Sequence, residues 1–455
     1  VGYQSGLALT KGRETTVIGA YALAQEDEGD GSTAVGYASL YFQNIGGSQN
    51  DVTGNTGIGA GAGDYNVTGT NNTWLGYHAG FGASGQSNSQ NTGVGKDALL
   101  DITTGNNNTA VGKSSLSSNT SGVSNTVVGY QTLTTATTAL NNTSVGFNAM
   151  ASVKAGVAVD GCVAIGHGAL IGNSSNTTGI NGTVAIGKAA LAALTTGAAN
   201  VAIGYQAGAA LIGGGLNTIL GYQALDAGTT VNNTVAIGHS AMGGVPAGQA
   251  VEYAIAIGVE AMKGGASTTD GINGNIAIGY RAGALLTTGG GNTLLGYNAG
   301  DVLLTGQNNT ILGRHSLGAG NGDEDDNTLV GYASGDVIDN GNQITCLGSG
   351  TDPSTAAGAN QTVIGYGATG HADNVVVLGN TSVTAWHPAD DNGVDLGASN
   401  YRFANLYVAD IQLSNEGNPN EVDGTEGNWS LQEGEEDLYV INRKTGKKFK
   451  IKLEE

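Results

Sequence analysis

A chain of 455 residues with 80 glycines, 12% charged and 5% aromatic residues fits neither a set of ordinary globular domains nor a charged disordered tail. Its formal net charge of −21 argues against nucleic acid as a partner, because phosphate binding relies on Lys and Arg displacing counterions. Two cysteines are too few for a disulfide framework, and without a run of ~18 apolar residues no segment is expected to insert into a membrane.

From Val1 to Gly379 one motif recurs, seen as Asn108-Thr109-Ala110-Val111-Gly112 and Asn309-Thr310-Ile311-Leu312-Gly313. Its closing glycine appears in 22 copies, among them Gly112, Gly129, Gly187, Gly221, Gly296 and Gly313, and the commonest spacing is 17 residues. A short fixed period of this kind predicts a solenoid, here an all-β parallel β-roll of about 22 coils. At ~4.8 Å per coil its length comes to roughly 105 Å. The chain opens in mid-motif at Val1-Gly2-Tyr3 without a methionine, so residues upstream are expected. The spacings after Gly146 (20, 21, 17, 17, 17) nearly recur after Gly238 (20, 21, 17, 17, 18), which points to duplication of a five-coil block.

Within each copy the pentad reads as a strand, and a 17-residue coil has room for about two strands of five and two turns. The residues one and two before the glycine are both apolar, and neighbouring strand residues point to opposite faces. One coil buries only one face, so the other is expected to meet further copies of the same chain about an axis parallel to the roll. The small residue two before the glycine (Ala110, Ala185, Ala236) is assigned to that face between chains, and Lys188 to the outer surface. The glycine itself bends the chain or admits another backbone. The position after it holds Tyr in ten copies, from Tyr3 to Tyr366, and is expected to be half-exposed and to pack as a ladder. A sugar-stacking surface is the alternative reading of that row. Asn stands four before the glycine in 12 copies, from Asn55 to Asn327, placed to form a hydrogen-bonded amide ladder. Cys162 and Cys346 fall ten copies apart, ~48 Å, and read as free small hydrophobes.

The period breaks after Gly379. Residues 380–413 read as a transition segment holding Trp386, Pro388, Asp390 and Asp391 and the stretch from Asp395 to Val408. Residues 414–455 read as a small β cap: a loop from Gly417 to Gly427, then a hairpin of Asp437–Asn442 and Lys448–Leu453 turning at Lys444-Thr445-Gly446. Acidic residues before the first strand face a run holding six of the chain's 16 Lys and Arg, a pattern that fixes register.

Chemistry was sought along the same path. His78, His167, His239 and His315 occupy repeat positions that Tyr, Lys or Gln fill elsewhere, and His371 and His387 have no nucleophile beside them, so no enzyme site is expected. No cofactor motif is present. Gly322-Asp323-Glu324-Asp325-Asp326-Asn327 is the sharpest acidic cluster, and Asp323 and Asp325 are the one weak candidate for a metal, against a plain solvated turn. Asn-x-Thr triplets are the repeat itself rather than glycosylation signals.

The Thr-Val-Ala-Ile-Gly and Asn-Thr-Ala-Val-Gly repeats resemble the head repeats of trimeric autotransporter adhesins. The Asn-Asn-Thr-Ala-Val-Gly form is similar to fibre proteins of tailed bacteriophages, including cyanophages, as are the stretches Leu378–Tyr407 and Asn428–Lys452. The resemblance implies a left-handed roll assembled as a homotrimer and capped at its C-terminus. It also implies an extracellular virion fibre that partners other virion proteins and a glycan or protein of the host surface. No autotransporter stalk or anchor pattern is found, so a bacterial adhesin head is the alternative and a solenoid enzyme a more distant one. Recognition is assigned first to the end of the chain, with Trp386, Tyr401, Tyr407 and Trp429 as candidate receptor contacts. The longer copies, Leu40–Thr53 and Ala151–Asp160, come next.

Overall fold

The computed structural model describes residues 1–46, 52–173, 177–264, 271–320, 323–387, 395–415 and 419–452. Pro388, Asp390, Asp391, Gly322, Gly417, Leu453 and residues 47–51 of the Leu40–Thr53 copy lie outside these. The described residues contain no helix and divide into two units, Val1–Val383 and Thr384–Glu455.

The first unit is a parallel β-solenoid. Each coil gives one strand of three residues, and 21 such strands, from Thr16–Ile18 to Val376–Leu378, join in a single parallel sheet. Equivalent residues lie side by side throughout: Ala185 is flanked by Ala164 and Ala202. The expected second strand is largely missing. The opposite wall is a series of isolated bridges such as Val123 to Leu140, with one pair of short strands, Thr230–Asn232 and Ala250–Glu252. Turn-forming residues fill most of that wall, and their local backbone geometry competes with an extended ladder.

Glycine at the end of each strand meets both reasons for its presence. At Gly129 φ is +139°, a region that residues with a Cβ avoid. A Cβ there would also stand 2.2 Å from the carbonyl oxygen of Gly146 in the next coil. The chain then turns through left-handed residues that are not glycine, as at Ser114 (φ 55°), Leu116 (φ 51°) and Ser124 (φ 58°). A left-handed residue with a Cβ costs ~1–2 kcal/mol, and complete burial of Leu116 offsets that by roughly 1.5–3 kcal/mol.

The interior reverses the face assignment made from the sequence. Ala110, Ala185 and Ala236 are fully buried inside their own coils, while the aliphatic residue one before the glycine (Ile203, Leu220, Leu295) points outward. The physical reason is volume. The strand packs against the side chain four after the glycine, so the two positions share one narrow layer: Ala110 lies in the coil of Leu116, and Ala236 in that of Met242. The bulkiest strand residue leaves no room at the other position. Trp74 is fully buried, and a Cβ on Gly80, Gly63 or Gly93 would lie 2.3, 2.5 or 2.7 Å from its ring. Leu294 likewise fills the space above Gly283.

The asparagines form the expected ladder, buried at the edge of this core. Asn108 Nδ2 donates to Asn91 Oδ1 (3.1 Å) and Asn125 Nδ2 to Asn108 Oδ1 (2.8 Å). Each amide also donates to a carbonyl across the coil, Asn108 to Gly122 (2.9 Å), and its oxygen accepts a backbone N–H of the next coil, Asn108 from Asn125 (3.1 Å) and Asn142 from Cys162 (2.9 Å). Thus the buried amide group finds partners for both its nitrogen and its oxygen. The proposed five-coil duplication reappears in the bonding: Gly156 N–H donates to Thr137 Oγ1 (2.9 Å), and 92 residues on Gly248 N–H donates to Thr229 Oγ1 (2.7 Å).

The second unit holds a four-stranded antiparallel sheet in the order Asp410–Ser414, Asn428–Glu433, Leu438–Asn442, Lys448–Lys450. The last two are the expected hairpin, closed by Gly446 N–H to Asn442 O (2.8 Å). Their register sets Tyr439 opposite Lys450, whose ammonium pairs with Asp437. The first two strands were not foreseen.

Candidate functional site

Strand alternation gives the roll an outer sheet face. Three positions of each coil line it: Thr, Val or Ile three before the glycine, Val, Ile or Leu one before it, and Tyr most often one after it. Because every strand is in register, the middle position stacks into an aliphatic stripe. Ile18, Ile58, Leu75, Leu220, Leu295 and Leu378 along it are each more than a third exposed. Twenty steps of ~4.8 Å carry the stripe over roughly 95 Å, well beyond the scattered apolar contacts of a monomer's surface.

Beside the stripe runs the row after the glycine. Its ten tyrosines are between 36% and 78% exposed, as the sequence implied. Flat stacks hold it together: Tyr130 on Phe147 (5.2 Å between centroids) and Phe147 on His167 (5.1 Å), then Tyr205 on Tyr222 (5.0 Å) and Tyr222 on His239 (5.3 Å). Cations extend the stacks, Lys113 over Tyr130 at 5.5 Å and Arg314 over Tyr297 at 5.5 Å. His167 and His239 are therefore members of the row. His78 lies on Tyr77 at 3.8 Å, and His315 meets Tyr297 edge-on at 5.4 Å.

The acidic cluster is occupied with coil-to-coil bonding. Thr305 Oγ1 donates to Asp323 (2.7 Å), Gln307 N–H to Asp325 (2.7 Å) and Asn308 Nδ2 to Asp326 (3.3 Å), so the carboxylates face separate donors of the preceding coil. Among the described residues no group of three or more His, Cys, Asp or Glu side chains is placed to hold a metal ion. Both cysteines are buried free thiols, and burial pushes Cys162 up to about 11 and Cys346 up to about 12. Such thiols are poor nucleophiles at neutral pH. His371 lines a cavity of about 400 Å³ with Thr369, Leu378 and Asn380, beside the last strand of the roll.

Of the candidate receptor contacts, Trp386, Tyr401 and Tyr407 are strongly exposed. Trp429 is half-buried and stands 6.0 Å from the ring of Phe449. Tyr401 also shares a small surface cleft with Gly397, Arg402 and Phe403. No helix of the described residues is long and apolar enough to cross a membrane. In comparisons with known proteins the chain matches no family model, and no curated protein or solved structure is significantly similar to it.

Proposed function

We propose that this chain is a homotrimeric, left-handed β-roll fibre of a bacteriophage virion, which carries an attachment surface towards a host cell. The observation that supports it most is the uncovered aliphatic stripe along the whole roll. Burial of ~25 cal/mol per Å² of apolar surface favours covering such a face, and a stripe parallel to the roll is covered along its length by parallel copies of itself. The likeness of the Asn-Thr-Ala-Val-Gly repeats to trimeric rolls sets the number at three. The exposed aromatics of the second unit then belong to the trimer's C-terminal cap and to contact with a host glycan or protein.

Light scattering of the purified chain tests the assembly and should return three times 45.1 kDa. Asp in place of both Leu220 and Leu295 should yield a folded monomer. A monodisperse monomer of the unaltered chain overturns the architecture. Attachment is tested by exchanging residues 386–455 for the end of a related fibre, which should transfer host adsorption. If adsorption stays with the roll, the end is an assembly device.

A further inference from the structure

The aromatic residues of the first coils are arranged differently from those of the stacked row. Tyr21 meets Tyr37 at 5.9 Å and Tyr41 at 6.2 Å with the rings at 81° and 71°, and Tyr41 meets Phe42 at 89°. Phe42 lies flat on Tyr65 at 4.8 Å. In the later stacks, ring planes within 17° of each other cover one another's faces; here the edge-on packing leaves faces open. Tyr21, Tyr37, Ala38, Tyr41, Phe42, Asp64 and Tyr65 line a cleft of about 370 Å³, within the ~300–1,000 Å³ of small-molecule sites.

Asp64 is the only carboxylate in this lining and is 9% exposed, and its buried Oδ1 accepts no hydrogen bond. An acceptor left in that state costs roughly 1–3 kcal/mol, more when charged. No Lys or Arg lines the cleft. The phenol of Tyr21 is held above its ordinary range, first by desolvation and then by the nearby phenols of Tyr3, Tyr37 and Tyr41.

We infer that this cleft binds a neutral hexopyranose, with the sugar's C–H face on the open aromatic rings and a sugar hydroxyl donating to Asp64. Three observations select that chemistry. An anionic ligand would meet a carboxylate and no cation. A quaternary ammonium would suit the ring faces but has no proton to give the accessible oxygen of the Asp64 carboxylate. A pyranose brings an apolar face together with several O–H groups, and phenols both donate to and accept from such groups. The inference places a recognition site in the first coils, apart from the C-terminal end. It stands on the cleft alone and does not depend on the fibre reading.

Saturation-transfer NMR of the full chain with the methyl glycosides of glucose, galactose, mannose and N-acetylglucosamine tests it. At least one should bind, with a Kd raised tenfold or more by Asp64→Asn and by Tyr41→Ala and changed less than twofold by Tyr222→Ala in the stacked row. Thermal melts by circular dichroism confirm that each variant is folded. The inference is overturned if the folded chain binds none of the four, if Asp64→Asn and Tyr41→Ala bind as the parent does, or if tetramethylammonium displaces the sugar. Because light scattering reads the assembly separately, a monomer that binds sugar would overturn the trimer and leave the cleft standing.

Discussion

The two units solve the burial problem in different ways. Inside the roll each coil completes its own core, and the polar groups that must be buried are paired with the neighbouring coil, as the asparagines show. In the second unit Trp386 is 79% and Tyr407 91% exposed, so two of its largest apolar side chains lie outside the sheet that half-buries Trp429. The roll is thus internally sufficient with one aliphatic face exposed, whereas the second unit leaves much of its apolar surface uncovered. Interior substitutions should therefore be severe in the roll and mild in the C-terminal sheet.

Glycine replacements should open the widest gap between the units. Gly129→Ala inserts a Cβ against the Gly146 carbonyl at a φ reserved for glycine, and is expected to destabilise by more than ~4 kcal/mol, which calorimetry would read as a large fall in Tm. Gly446 has φ +69° and nothing within 4 Å of an added Cβ, so Gly446→Ala should cost only about 1 kcal/mol. Similar losses at both sites would break the comparison.

Trp74 probes how narrow the interior is. Trp74→Ala should cost about 3–5 kcal/mol in urea denaturation. Adding Gly80→Leu, which restores the small-strand, large-turn pairing of the Ala110 and Leu116 coil, should recover part of it. Alone, Gly80→Leu should be destabilising, because Trp74 already fills that space. If the double variant is the sum of the two singles, the layers are not shared.

A further expected effect, below that of Trp74→Ala, is electrostatic. Burial raises Asp64 to about 6 from 3.8, so the folded roll holds that proton more tightly than the unfolded chain does. Its contribution to stability is complete below pH ~4 and is lost as pH rises through about 6, a change of roughly 2–3 kcal/mol. Asp64→Asn should remove that slope: equal to the parent at pH 3.5 in urea midpoint, more stable at pH 8. A parent and variant that track each other across this range would show that Asp64 is solvated in solution.

Much of this was legible in the residues. The recurrence of Gly112, Gly129 and their equivalents fixes the coil, and Asn55 through Asn142 announce the ladder. The face assignment was not legible from alternation, because a period of two separates Ala185 from Ile186 without saying which is inside. Volume decides that, and the signal was available in the company Trp74 keeps with Gly63, Gly80 and Gly93. The left-handed turns at Ser114 and Leu116 left no trace, since Leu is not a residue that marks such a conformation. Asp410–Ser414 and Asn428–Glu433 carry the same alternation as the hairpin, with Ile411 and Leu413, Trp429 and Leu431 at every second position, so these strands were legible too. The cleft was hidden because Tyr21 stands two after its glycine and Tyr41 and Asp64 five after theirs, positions outside the tyrosine row.

The asparagine ladder also has a genetic consequence. Within an uninterrupted run of asparagines, Asn55 to Asn142 or Asn275 to Asn327, each rung offers the next coil the same carboxamide oxygen that it takes from the one before, so coils within a run present matching ends. Recombination within such a run can then remove or copy whole coils without creating a mismatched junction. Length becomes a heritable quantity adjustable in steps of one strand spacing, while the surfaces at the first coils and in the second unit diverge independently.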